Sequence, residues 1–177
     1  MIGTSLPLTA ARSGGPLVVG DERFADRVAA GRLLAELLGA YRGDRALVLA
    51  LPPGGVAVAG ELAHALRLPL DVLVARAFSA PAYPTLVVGA FSEGGGLCFN
   101  RLALRLPEVT LSLAWRAASR ARLDAIALVA AYRGARRLPL LNRRSIILVD
   151  DGLGSGLPQL AALPSPKTFS IPALIHS

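Results

Sequence analysis

Residues 145–156 constrain this chain more than any other stretch, reading Ser-Ile-Ile-Leu-Val-Asp-Asp-Gly-Leu-Gly-Ser-Gly. Ile146, Ile147, Leu148 and Val149 are consecutive branched apolar residues with the length and β-propensity of a strand buried on both faces. Such a strand belongs to a parallel sheet lying under helices. It ends in two carboxylates, Asp150 and Asp151, followed by Gly152, Gly154 and Gly156 at alternate positions. Glycines so spaced let the backbone fold tightly and turn its N–H groups toward an anion, with the acids alongside as hydroxyl acceptors or Mg²⁺ partners. In outline this is a phosphosugar site. The same pattern also occurs wherever a sheet meets an ordinary loop, so the rest of the chain must decide.

With 177 residues, 53% of them hydrophobic, the chain suits one domain with a real core and excludes disorder. No apolar run approaches the roughly 18–20 residues needed to span a bilayer, so no membrane partner is expected. Residues 1–11 lack a basic segment before their apolar stretch, so no secretory leader is expected. The single cysteine, Cys98, excludes an internal disulfide and a cysteine-based zinc cluster; it reads as a small packing residue, and a cytoplasmic setting follows. The net charge of +7 comes almost wholly from arginine, with Lys167 the only lysine. Forked guanidinium donors suit phosphate, which favours a phosphosugar or nucleotide as partner. Nucleic acid is not expected, because the arginines are scattered and few aromatic residues accompany them.

Residues 1–20 read as a loose arm before a single domain over residues 21–177. Asp21 and Glu22 open a helix that carries Phe24, Val28, Leu34, Ala35 and Leu38 on one face and closes at Gly39. A strand over 46–51 stops at Pro52-Pro53-Gly54-Gly55, a helix over 56–66 follows, and 70–75 is the next strand. Alternation of this kind predicts an α/β fold with an open, mainly parallel sheet flanked by helices. Gly54 and Gly55 lie where a strand's carboxyl end meets a helix start, a place that attracts anions, the lesser alternative being that they only allow close helix–sheet packing. Residues 76–84, with Pro81 and Pro84, read as a loop. Segments 86–91 and 97–100 flank Glu93-Gly94-Gly95-Gly96 as an inserted β-hairpin. Thr110 caps a long helix to Tyr132, closed by Gly134, with Trp115 packing and with Arg116, Arg120 and Asp124 on a solvated face. Arg133, Arg136, Arg137, Arg143 and Arg144 read by default as a solvated basic connector. Neither His64 nor His176 reads as a general base.

Several motifs in one order carry a resemblance. Phe24-Ala25-Asp26-Arg27 with Ala30-Gly31, then residues 51–56, then Pro69-Leu70-Asp71-Val72, Gly89-Ala90, Tyr132-Arg133-Gly134 and residues 147–152 resemble a bacterial branch of the type I phosphoribosyltransferases. The likeness implies a parallel sheet under helices and a pentosyltransferase that moves ribose 5-phosphate from phosphoribosyl pyrophosphate to a nucleophile. It implies that Asp150 and Asp151 hold the ribose hydroxyls as the catalytic pair. Gly152, Leu153, Gly154, Ser155, Gly156 and Leu157 would wrap the 5-phosphate. Pro53, Gly54, Gly55 and Arg76 would receive pyrophosphate, in a loop that often carries a cis peptide in this family. The cofactor implied is Mg²⁺, carried by the substrate near Asp150 and Asp151 rather than held by direct protein ligands.

Departures from the family pattern fall on the chemistry. Pro53 stands for a usual arginine, Ala77 for a lysine, Thr85 for a glutamate, and Ser155 and Pro158 for threonines. After Gly156, residues 157–163 allow about two helical turns before Pro164-Ser165-Pro166, where the family has a full helix; residues 168–175 can supply one last strand. Three readings follow: a transferase with an unidentified acceptor, a degenerate relative that binds nucleotide or phosphosugar without turnover, and an arginine-rich module for nucleic acid or another subunit. Self-association is left open.

Overall fold

Residues 46–50 and 145–149 form neighbouring parallel strands at the centre of the fold, with Ala50 opposite Val149. Their apolar residues alternate between two cores. Val48, Ala50, Ile147 and Val149 face one helical layer, while Leu47, Leu49, Ile146 and Leu148 face the other side of the sheet. The computed structural model describes residues 17–18, 26–141, 144–152, 155–162 and 170–174. In chain order the elements are β1 (Leu17–Val18), α1 (Arg27–Leu37), β2 (Ala46–Ala50), α2 (Gly55–Leu66), β3 (Leu70–Val72), β4 (Ala75–Ala80), β5 (Tyr83–Ser92), β6 (Leu97–Phe99), α3 (Leu111–Arg133), β7 (Ser145–Val149), α4 (Leu157–Ala162) and β8 (Ser170–Leu174). One sheet runs β1-β8-β7-β2-β3 with every pair parallel, and a second runs β4-β5-β6 with both pairs antiparallel. The α/β architecture read from the sequence is therefore present. Leu17 and Val18, within the stretch expected to be an arm, pair with Ala173 and Leu174 at the edge of the parallel sheet.

Helix α1 starts one residue after Asp26, whose carboxylate accepts from the Ala29 amide at 2.7 Å. Asp21 and Glu22, expected to open it, lie outside the described residues. Its apolar face, Ala30, Leu34, Ala35 and Leu38, packs with Val58, Ala59, Leu62 and Leu66 of α2 over one face of the parallel sheet. Thr110 caps α3 and Gly134 closes it, as expected. Among the described residues no helix is long and apolar enough to cross a membrane.

The hairpin is larger than its sequence suggests. Residues 76–84, expected as a loop, form most of β4 and its turn into β5, and the strand expected over 70–75 breaks into β3 and the start of β4. Phe78 and Ala80 are buried under Ala114, Ala118 and Ala121 of α3 while Arg76 and Ala77 are exposed, a half-covered pattern too short to stand out beside two prolines. Trp115 packs edge-on against Phe99 with ring centroids 5.4 Å apart, while remaining half exposed. The Arg120–Asp124 pair on α3 is open to solvent.

Arg133 corrects the reading of a solvated connector, since it is only 6% exposed. Its guanidinium forms a fork-on-fork pair with Glu93 and also donates to the Val72 carbonyl at 2.6 Å, and Glu93 Oε1 accepts from the Val74 amide at 2.7 Å. The end of α3, the β3–β4 junction and the hairpin turn are thus tied by one buried ion pair. Removing one member leaves the other charge buried alone, which costs about 3–5 kcal/mol. Glu93→Ala is therefore expected to lose about that much in urea unfolding at neutral pH; a loss below about 1 kcal/mol, as for an exposed pair, would contradict this account.

Candidate functional site

Topology fixes where a ligand can enter. From β2 the chain passes through α2 to β3 on one side, whereas β7 leads through α4 to β8 on the other. Adjacent strands that part in this way leave a crevice beyond their carboxyl ends, where open parallel sheets bind ligands. Here β2 ends in Pro52-Pro53-Gly54-Gly55 and β7 in Asp150-Asp151-Gly152, so both sequence-predicted turns reach one rim.

The two turns touch. Leu51 N–H donates to the Val149 carbonyl at 2.8 Å, and Gly55 N–H donates to the Leu51 carbonyl at 3.0 Å as α2 begins. The Pro52–Pro53 peptide is cis. A methyl group on Gly54 would stand 1.8 Å from Asp151 Oδ2, and one on Gly55 would stand 2.5 Å from the Val149 carbonyl oxygen. Only glycine lets the strands' ends approach this closely.

The paired acids occupy different settings. Asp150 is half-buried: its Oδ1 accepts from the Asp151 amide at 2.8 Å, and its Oδ2 accepts from the Gln159 side-chain amide. Burial raises its carboxyl above the ordinary range, and the negative charge of Asp151 adds to this, against the lowering effect of the hydrogen bonds from the Asp151 amide and Gln159. Gln159, 8% exposed, also donates to the Gly152 carbonyl at 3.3 Å, while its Oε1 has no partner among the described residues. Asp151 is more open, and its Oδ2 accepts two hydrogen bonds from Arg27, at 3.0 Å from Nε and 2.6 Å from Nη2.

Of the loop expected to wrap phosphate, Leu153 and Gly154 lie outside the described residues. Gly156 has a φ of 71°, a left-handed conformation suited to glycine, and its carbonyl accepts from Leu160 N–H at 3.0 Å. The Ser155 hydroxyl accepts from the Leu157 amide at 3.4 Å, and Pro158 sits in the first turn of α4, where its missing donor is tolerated. Six residues make a weak helix alone. The hairpin sheet supports it: Ala90, Val87 and Cys98 pack on Leu157 and Ala161, the Cys98 thiol donates to the Leu157 carbonyl at 3.2 Å, and a methyl on Gly96 would stand 1.8 Å from the Ala161 carbonyl oxygen. Burial pushes the Cys98 thiol up, consistent with a packing role.

Arg76 lies on β4 with an exposed side chain, and no described hydrogen bond or ion pair joins it to the acids or the Gly54 turn. Arg27 and Gln159 were not singled out as site residues by sequence. A cation in the first turn of α1, which has no acid there, was a local misfit that could have flagged Arg27; nothing local marks Gln159. Among the described residues no group of three or more His, Cys, Asp or Glu could hold a metal ion. Asp150 and Asp151 are the carboxylates at this rim, and two of them could hold a Mg²⁺ only if it drew most of its ligands from phosphate and water.

The sequence profile of the phosphoribosyl transferase domain matches residues 24–163. The chain belongs to that family. Two Mycobacterium tuberculosis proteins, from strains CDC 1551 and H37Rv, each bearing the name "Putative phosphoribosyl transferase", are 40% identical over 141 residues, covering 78% of this chain and 31% of theirs. The chain thus spans about a third of the curated relatives it matches. The crystal structure of TT1426 from Thermus thermophilus superimposes with a TM-score of 0.64 and 31% identity, covering 88% of this chain and 86% of that one. In this phosphoribosyl transferase domain the matched stretch includes both rim turns, Arg27 and Gln159.

Two outcomes test the geometry of the domain's rim. Gly55→Ala meets a backbone carbonyl and should cost about 1–3 kcal/mol, more than Gly54→Ala, which meets only the Asp151 carboxylate; the reverse order in denaturant melts would refute the packing described. Because Asp150 is raised by burial, its ionised form opposes folding: the contribution is favourable below the unfolded-state pKa and is lost as pH rises through the folded value. Asp150→Asn, with Gln159 Oε1 turned to accept from the new amide, should melt higher than the parent at pH 7, the gap closing as acid protonates Asp150. An unchanged gap across that range would contradict the burial.

Proposed function

We propose that this protein binds phosphoribosyl pyrophosphate with Mg²⁺ and transfers ribose 5-phosphate to a nucleophile, releasing pyrophosphate. The observation that supports this most is the meeting of the Gly54–Gly55 turn with Asp150 and Asp151 at the switch point of the parallel sheet. Asp150, oriented by Gln159 and the Asp151 amide, and Asp151 accept from the ribose hydroxyls. Their negative charge stabilises the positive charge that grows on the sugar as its bond to pyrophosphate breaks. The Gly54 amide and the positive end of α2 receive the leaving group, and the 152–157 loop receives the 5-phosphate. Mg²⁺, when bound with the diphosphate, would neutralise charge on the leaving group, with Asp150 and Asp151 as the nearest carboxylates. The reading takes the activity to be cytoplasmic, in keeping with a chain whose one cysteine can form no internal disulfide.

One observation favours a second reading, binding without turnover: Asp151 Oδ2 is already engaged by Arg27. Calorimetry with phosphoribosyl pyrophosphate and Mg²⁺ tests both readings, and no heat at millimolar ligand would discard both. Release of pyrophosphate with purine and pyrimidine bases then separates them; a flat trace across the bases tried rejects turnover on those acceptors and favours the binder. Asp150→Asn combined with Asp151→Asn is expected to weaken Mg²⁺-dependent binding by roughly 10- to 100-fold, whereas unchanged affinity would make the acids structural.

A further inference from the structure

We propose that Arg27 supplies the cation of the leaving-group subsite, moving from Asp151 onto the diphosphate when it arrives. This rests on the reading of the Gly54–Gly55 turn as the place that receives pyrophosphate. The turn itself, Leu51-Pro52-Pro53-Gly54-Gly55, carries no cationic side chain, and Arg76 has no described bond to it. Arg27 reaches it from another element. Its guanidinium is 2.6 Å from Asp151 Oδ2, the same oxygen that a methyl on Gly54 would meet at 1.8 Å. Guanidinium, carboxylate and glycine turn therefore share one spot on the rim.

The setting of Arg27 is poor for stability and good for an anion. It occupies the first position of α1, where the helix's positive end repels a cation, and α1 has no acid in its first turn. Its side chain is 56% exposed, so the pair with Asp151 gains little as a surface ion pair. Both of its described bonds go to one oxygen, and Nη1 has no partner among the described residues. Donors remain for a second anion. The base of the side chain is fixed by the Asp26 cap and by packing of Ala30 and Leu34 against α2, the helix that opens at Gly55. Only the far end need swing, and its release would also free Asp151 Oδ2 for a sugar hydroxyl.

Titration of the full chain with Mg²⁺-pyrophosphate and, separately, with ribose 5-phosphate tests this. Arg27→Gln is expected to weaken pyrophosphate binding roughly 10- to 100-fold while leaving ribose 5-phosphate within about twofold of the parent, and Arg27→Lys is expected to recover part of the loss. If the Gln variant fails to fold, Arg27→Lys decides alone, by a several-fold loss for pyrophosphate only. Equal pyrophosphate binding by parent and variants overturns the inference and leaves the proposed function standing. Parallel losses for both ligands also overturn it, since Arg27 would then act only by holding Asp151. A parent that binds neither ligand overturns the inference together with the reading beneath it.

Discussion

The pairing of β2 with β7 is the constraint from which the rest follows. With Ala50 opposite Val149 and the Leu51 amide on the Val149 carbonyl, the two strands end level, and the glycine turn after one meets the acids after the other. Strand side chains repeat every two residues, so a slip of one residue would turn Val48 and Ala50 away from the helical layer that Ile147 and Val149 share. It would also separate Gly54 from Asp151 by about 3.3 Å, the rise of one residue. Core and site are thus specified by the same register, and neither could drift without the other.

The second sheet answers a weakness in the first. Helix α4 follows the acids of β7 and has six residues, too few to hold itself or to bring much dipole to its start. It is held from outside, by Ala90, Val87, Cys98 and the close approach of Gly96. That support is transmitted to the parallel sheet through Glu93, whose carboxylate takes the Val74 amide and the Arg133 guanidinium together. The short helix thus rests on a braced platform rather than on its own length. The buried pair is retained although apolar residues in its place could be as stable, which fits a role in fixing position.

What the sequence disclosed and what it hid divide by range. The strand at 146–149, its acids, the Gly54–Gly55 turn and the caps at Thr110 and Gly134 are written in a few adjacent residues, and each is in place. The partners are not local. Arg27 meets Asp151 across 124 residues and Arg133 meets Glu93 across 40, and charge counting alone put Arg133 in solvent. The loop expected over 76–84 failed for a different reason: Pro84 normally argues against a strand, but it sits at the start of β5, before the β6 pairing at residues 89–91 that needs its neighbours' amides.

The two acids also differ in a way that bears on chemistry. Asp151 lies toward solvent against a cation, so its field is partly cancelled; Asp150 is half-buried, its oxygens fixed by an amide on each side and its charge opposed by burial. A carboxylate poorly served by water interacts more strongly with a nearby positive charge than a solvated one does. On the proposed reading, the unfavourable ionisation of Asp150 is relieved as the sugar becomes positive, so its stabilising effect is larger in the transition state than in the ground state. Gln159 completes this arrangement, because a neutral donor orients the carboxylate without cancelling its charge, as an arginine in the same place would.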